Sequence, residues 1–447
     1  MIRKLIYFVA ATALLAAPAA AQEGEGGPLL DLEYVLRAAL GTNEQIEIAR
    51  EGIEVARSWR SLARSALFPS TYFNGTLTRN DREQAIEFDI PGMEMPEDSP
   101  GGFVITPLYD WQASLTISQP LFVGFRDIRA LQASGINIGL SEDQLDRTRR
   151  DLLFQVAAVY AEVVKAQRNL EISRQAVELA RQQLRQAEVL LRAGEGIRTS
   201  VLQAEAQVAE AELGVIVDRS AMARAKEDLT VLTGIDGDYR LAPPGAPSLP
   251  AATLEELLAI GMEGRSELRA AGRQIAISEL QIGIAAGEKL PTVSLDFLYN
   301  RQRSPFPSNA FWRLMLNFSV PIYDGGFSRA RQAEAESAHR QAQLQRQLLE
   351  RQIRAEIVQA HLDYESLRAS RQTVQTQVEL TRQAYADIER FHAVGEATDL
   401  ELQDARQQFI SAEKTLANIS TDEVLALFSL RRSLGLLVVD IEEEPER

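Results

Sequence analysis

The sequence predicts a mixed α and β membrane protein built from one structural unit used twice, and three observations carry that prediction. The chain repeats itself: an offset of 201 maps Trp111, Leu115, Ser118, Pro120, Gly124, Gly194, Glu195 and Gly234 onto Trp312, Leu316, Ser319, Pro321, Gly325, Gly395, Glu396 and Gly435. An offset of 222 maps Leu32, Leu36, Ala49, Ile53 and Pro69 onto Leu254, Leu258, Ala271, Ile275 and Pro291, so copy one carries 21 extra residues between Pro69 and Trp111. Each copy also holds two runs of about ten residues that alternate apolar and polar, then a proline-free stretch long enough for a helix of roughly 100 Å.

Arg3 and Lys4, the apolar run Leu5 to Leu15 and the small residues Ala19-Ala20-Ala21 form a cleavable secretory signal over 1–21. The chain has no cysteine, which excludes a disulfide framework, thiolate metal sites and a lipid-acceptor thiol. Its formal charge of −16 becomes −18 once Arg3 and Lys4 are removed, and no basic stretch offers a nucleic-acid footprint. After residue 21 no apolar run approaches a spanning helix, which leaves a water-soluble exported protein or a β-barrel.

Repeat one covers 22–240, a Pro-rich linker 241–250, repeat two 251–435, and an acidic tail expected to be disordered 436–447. Helices are expected at Leu32 to Leu40 and Asn43 to Ala66, then strands at 71–79 and 110–119 separated by an acidic, Pro- and Gly-rich loop. From Phe125 to Leu191 the seam Leu152, Val156, Val159, Val163, Ala166, Leu170, Ser173, Val177, Ala180, Leu184, Ala187, Leu191 alternates steps of four and three, with Ser173 its only polar member. Gly194 and Gly196 interrupt the helix, and a return helix from Thr199 stops before Gly234. Repeat two follows the same plan. Helices at Leu254 to Met262 and Arg265 to Lys289 precede strands at 292–300 and 311–320, a helix from Phe327 to Val394, a break at Gly395 and a return from Asp399 to Leu434.

In the second strand of each copy, Trp111, Leu115 and Ile117, or Trp312, Leu314, Leu316 and Phe318, share a face, opposite hydroxyl and amide residues in copy one. This pattern suits strands with lipid on one side and a water-filled lumen on the other, with the tryptophans at an interface. Four strands cannot close a barrel, so several chains must pool theirs: a dimer gives eight, a trimer twelve with a more generous channel.

No catalytic constellation, metal site or phosphate-binding loop is evident; His339, His361 and His392 stand apart and suit surface or packing roles. The hairpin tips Gly194, Glu195, Gly196 and Gly395, Glu396, Ala397 are the candidate partner-docking positions. Glu401 and Asp404 lie three apart on one helix face beyond the second tip, and form either an acidic ring in an assembly or a solvated charged face.

Two copies of strand, strand, long helix, Gly-centred tip and return helix, with the junctions QPLFVGF and VPIYDGG and the segment LQAEAQVAEAE, resemble the TolC-like outer membrane efflux protein family over essentially the whole mature chain. The resemblance implies a homotrimer with a twelve-stranded outer-membrane β-barrel, four strands per chain. The barrel is continuous with a periplasmic α-helical barrel whose tips dock a periplasmic adaptor joined to an inner-membrane pump or ABC exporter. It implies a passive exit duct for tripartite efflux or type I secretion, in contact with outer-membrane lipid, without cofactor, enzymatic chemistry or nucleic-acid partner. Two constricting aspartates of the family fall on Glu401 and Asp404; a basic residue that holds family tips closed falls on Ala397, so that latch does not carry over. A periplasmic coiled-coil adaptor is the alternative and would show one hairpin flanked by β-rich domains; an exported scaffold without a channel is another. The cargo, whether drug, metal ion or secreted protein, is not encoded in any motif.

Overall fold

A computed structural model describes residues 27–86, 103–247, 253–303 and 310–437; the signal segment 1–21, the middle of the first strand loop, part of the 241–250 linker and the tail after Leu437 lie outside the described residues. In chain order the elements are β1 (Leu29–Leu30), α1 (Leu32–Thr42), α2 (Glu44–Ser65), β2 (Ser70–Arg79), β3 (Gln84–Ile86), β4 (Phe103–Thr106), β5 (Tyr109–Val123), α3 (Arg126–Ala193), α4 (Arg198–Thr233), β6 (Arg240–Leu241), α5 (Leu254–Gly264), α6 (Ser266–Gly287), β7 (Thr292–Gln302), β8 (Ala310–Ser319), α7 (Phe327–Ala393) and α8 (Asp399–Ser433). None of the described helices is long and apolar enough to cross a membrane.

The residues divide into two compact units, to both of which α3, α7 and α8 contribute. One, the sheet unit, comprises Asn43–Gln155, Pro247–Ala369 and Ala426–Arg447. Its four-stranded antiparallel sheet runs β2-β5-β7-β8, so the two copies meet at the β5–β7 ladder and β2 and β8 are left as edges. The opposed pairs Ser70↔Ser118, Val123↔Thr292 and Thr292↔Ser319 put all four helix–strand junctions at one end of the sheet. At the other end the expected featureless loop instead carries a short β3–β4 ladder. The strand at 110–119 also runs on to Val123: Pro120 stays opposite Ser294, and a register shift between Pro120 and Phe122 leaves Leu121 as the extra residue of a bulge.

The core of this unit gathers Leu257 and Leu268, Ile353, Ile357 and Ala360 of α7, and Leu430 and Leu434. At Gly261 a Cβ would lie 2.4 Å from Ile357 Cδ1, so any side chain there would displace the end of Ile357 in the core. Arg265 is buried but saturated, donating to Ser433 O at 3.1 Å, Glu356 Oε2 at 2.9 Å and Glu267 Oε2 at 3.1 Å. Burial alone would raise the Glu356 carboxyl, yet Arg265 and Arg432 outweigh it and hold it below the ordinary range. Leu437, expected at the start of a disordered tail, is buried.

The other, the hairpin unit, comprises Met1–Thr42, Val156–Ala246 and Ser370–Leu425. Its seam is buried at Val163, Ala166, Leu170, Ser173, Val177 and Ala180. Ser173, the seam's polar member, donates to Asp218 Oδ2 at 2.6 Å, and Lys414 reaches the same oxygen at 2.8 Å, so a polar tie is set among the apolar layers. Tyr160 is fully buried and its hydroxyl donates to Ala242 O at 2.6 Å and Leu30 O at 3.2 Å, beside the β1–β6 pair that joins the two ends of repeat one. The repeat persists at single contacts: Arg181–Glu212 at 2.8 Å and Arg382–Glu413 at 3.2 Å are the same ion pair displaced by 201.

Candidate functional site

The sheet separates its residues by chemistry. Register places Trp111, Leu115, Ile117, Trp312, Leu314, Leu316 and Phe318 on one face, through the opposed pairs Leu77↔Trp111, Leu115↔Tyr299, Ile117↔Phe297, Leu316↔Leu295 and Phe318↔Val293. On that face Leu314, Leu316 and Phe318 are each more than half exposed, and Trp312 stacks on Phe297 at 6.5 Å. The opposite face is a hydrogen-bonded polar lattice: Asp296 accepts from Ser118, Ser294 and Asn317, and Gln112 donates to Asn300 at 2.9 Å. A sheet that exposes its apolar side and links residues of its polar side by hydrogen bonds has the reverse of the burial expected when a soluble core covers one face.

The hairpin tips are built by helix-stop chemistry. Gly194 at φ +80° and Gly395 at φ +79° each end a long helix in the left-handed region, and the next residue folds back, with Glu195 N–H donating to Leu190 O and Glu396 N–H to Phe391 O. Gly196 is required for a different reason, since a Cβ there would lie 2.9 Å from Leu191 N. Between the tips lies a groove of about 1080 Å³, lined by Glu195, Gly196, Gly395 and Ala397 together with the amides Gln183, Gln186, Gln203 and Gln207.

Glu401 and Asp404 are brought onto one exposed face of α8, while Leu402 and Ala405 turn inward onto Tyr385. Glu401 closes a capping box: its Oε2 accepts from Thr398 N at 2.8 Å and Thr398 Oγ1 at 2.9 Å, while Thr398 Oγ1 accepts from Glu401 N at 3.3 Å. The Thr398 amide and hydroxyl hold its carboxyl below the usual range. Asp404 accepts from Gln408 at 2.9 Å.

Three features escape a residue-by-residue reading. His392, which sequence suggests as an isolated surface or packing residue, lies 2.7 Å from Asp399 Oδ1 through Nε2, and Ser200 of the first tip donates to Asp399 Oδ2 at 2.7 Å, so Asp399 links the two tips. Those two hydrogen bonds hold the Asp399 carboxyl low. Arg406 of α8 is buried and held by two amide oxygens, Gln183 Oε1 at 2.6 Å and Gln207 Oε1 at 3.0 Å. Desolvation lowers its guanidinium pKa. The Thr398-x-x-Glu401 spacing alone could have announced the capping box; nothing local marks Arg406 as buried. Among the described residues no three metal-ligating side chains gather.

A sheet with one apolar and one polar face and two glycine-ended helical hairpins define a strand-and-hairpin class of protein. The sequence profile of the outer membrane efflux protein family matches residues 35–235 and 261–436, and the chain belongs to that family. It is 23% identical over 350 residues to the outer membrane efflux protein BepC of Brucella suis, covering 75% of both chains. It is 26% identical over 313 residues to the outer membrane protein TolC of Vibrio cholerae, covering 66% of this chain and 70% of that one. The solved structure of the outer membrane protein VceC of Vibrio cholerae superposes with a TM-score of 0.73 at 18% identity, across 90% of this chain and 96% of the other.

Proposed function

We propose that this outer membrane efflux protein is the passive exit channel of an export system, driven by an inner-membrane pump or ABC exporter that it meets through a periplasmic adaptor. The observation that carries the reading is the two-faced sheet with two unpaired edges. In lipid an open edge leaves backbone N–H and C=O groups without partners, so β8 of one copy must pair with β2 of the next. The alternating strand directions permit that pairing around any number of copies, and three give a twelve-stranded barrel with room for a lumen. Lipid then meets Trp111, Leu115, Ile117, Trp312, Leu314, Leu316 and Phe318, and water meets the Asp296 lattice. The long hairpins of three copies line a helical tunnel. The tips at Gly194–Gly196 and Gly395–Ala397 supply the adaptor-docking surface, and segment 1–21 directs export of the chain.

Glu401 and Asp404, repeated by threefold symmetry, make a ring of carboxylates at the narrow point that concentrates cations. Because Glu401 also caps α8, alanine there would remove a charge and loosen a helix end together. Glu401→Gln/Asp404→Asn separates the two, since glutamine can still serve in the box. In planar bilayers the wild type should conduct, and the double variant should lose cation selectivity and resist multivalent-cation block. An unaltered selectivity places the pair outside the pore, and a wild type that never conducts rejects the channel itself.

A further inference from the structure

The four helix–strand junctions at one end of the sheet carry a device that the channel reading does not use. At three of them an arginine lies over a phenylalanine ring: Arg64 over Phe68 at 5.8 Å, Arg129 over Phe125 at 5.9 Å and Arg331 over Phe327 at 5.9 Å. The order along the chain reverses with chain direction. Where α2 runs into the sheet the arginine precedes the ring by four residues, and where α3 and α7 run out it follows by four. In all three the ring therefore lies on the strand side of the guanidinium, which sits one helical turn further from the sheet along the chain. Chance placement would not conserve that order while inverting the sequence.

The rings are exposed rather than packed: Phe68, Phe125 and Phe327 each keep more than half their surface open. They lie beyond the strand ends, and the cations lie one turn further along the helices. The same segments also carry Arg126, Lys289 and Arg329 against Asp127, Glu288, Asp324 and Glu334, a local excess of positive charge in a chain of net charge −16. One of those acids is spent locally, since Asp324 accepts from the Ser328 and Gly326 amides to cap α7. Arg129 donates to Gly283 O at 2.7 Å and Arg331 to Glu334 Oε2 at 3.1 Å; a guanidinium has five N–H donors, so each contact leaves others to aim outward.

We infer that this end of the sheet binds phospholipid head groups: acyl chains lie on the phenylalanine rings, and the three guanidiniums take the phosphates. The inference rests on the membrane reading of the sheet. An aromatic ring at the boundary with a cation one turn outward matches the depth order of an acyl–phosphate interface, and guanidinium pairs with phosphate through two parallel hydrogen bonds. It assigns these residues to lipid rather than to a neighbouring copy, because the same ring-then-cation order away from the sheet recurs at three junctions of opposite chain direction, as a layered boundary requires and a single protein contact does not.

The test compares insertion and lipid retention. Full-length protein is reconstituted into vesicles of mixed phosphatidylethanolamine and phosphatidylglycerol, and separately into vesicles of a phosphate-free diglucosyl diacylglycerol; after mild detergent extraction, bound lipid is counted by native mass spectrometry. Wild type should insert into both and retain phospholipid but not the glycolipid. Arg64→Gln/Arg129→Gln/Arg331→Gln should still conduct and hold phosphatidylglycerol roughly fivefold more weakly per arginine removed, and the triple lysine variant, which keeps the charge but loses the paired N–H fork, should retain it to a degree between the two. Insertion with equal retention of both lipids overturns the inference and leaves the channel standing. Insertion into neither removes the channel reading and this inference with it. The wild-type comparison decides the matter even if the glutamine variant does not fold.

Discussion

The two hairpin tips share a backbone and differ in how they are fastened. Both turn at a glycine near φ +80°, both fold the next amide back onto the helix, and both hairpins carry the same arginine–glutamate pair one repeat apart. Yet α4 begins at Ile197 without any side-chain cap, whereas α8 begins with a complete Thr398–Glu401 box. The second tip also supplies Asp399, which accepts from His392 beside it and from Ser200 of the first tip. Duplication thus preserved the turn, where only glycine fits, and let the polar fastenings diverge. Tip one is held by tip two rather than by itself.

The largest effect expected from testing this comparison is at the shared turn. Valine at Gly194 or Gly395 meets no neighbouring atoms but must adopt a left-handed conformation, costing about 1–3 kcal/mol at either tip. At Gly196, whose backbone is not left-handed, the cost comes instead from collision with the Leu190–Leu191 backbone. Denaturant unfolding of the three single variants, with an export assay beside it, compares the two causes; an unchanged stability in Gly196→Val would mean that Gly196 has no packing role. On the proposed docking role of the tips, export should fail in the Gly194 and Gly395 variants even where the proposed trimer survives.

A smaller effect separates the helix starts. Thr398→Ala should cost about 1 kcal/mol, the usual value of a lost cap, and speed amide exchange over 399–402. Ile197→Ala has no cap to lose, so exchange over 198–201 should hardly change. Matching responses in both hairpins would show that the box adds nothing in place.

The smallest effect is pH-dependent. Asp399 has its carboxyl held below the ordinary value of 3.8 by His392 and Ser200. A carboxyl depressed in the folded state stabilises it above the unfolded pKa, and that contribution fades as pH falls through the folded value. Amide protection around both tips should therefore decline on acidification below the normal aspartate range in the wild type, while Asp399→Asn starts lower and shows no such step. A variant that keeps the step places the titrating group elsewhere.

Much of the fold was legible because its patterns are long. Alternation in the strands and the four-three seam of α3 need no tertiary information, and the seam's polar member at Ser173 is explained once Asp218 and Lys414 come into reach. What the sequence concealed were contacts made by three or more segments. Arg406 reads as a solvated charge, and only the convergence of α3, α4 and α8 buries it on two glutamines. His392 and Asp399 stand seven apart across a turn, a spacing that no helical rule flags. Pro120 reads as a strand end, although the register shift carries β5 past it. Glu401 is legible as an acid, and its three-residue spacing from Thr398 marks the cap.

The open edges of β2 and β8 have a consequence for the life of the chain before it reaches a bilayer. A solitary copy carries two rows of backbone donors and acceptors able to pair with any extended strand, and in a crowded compartment wrong partners compete with right ones. For the proposed trimer, membrane entry becomes a step of third order in protein, slow when copies are scarce, and stability ceases to be a property of one molecule because it depends on how many others have arrived. Synthesis rate and escort proteins that mask strand edges would govern yield more than any single residue of the finished channel.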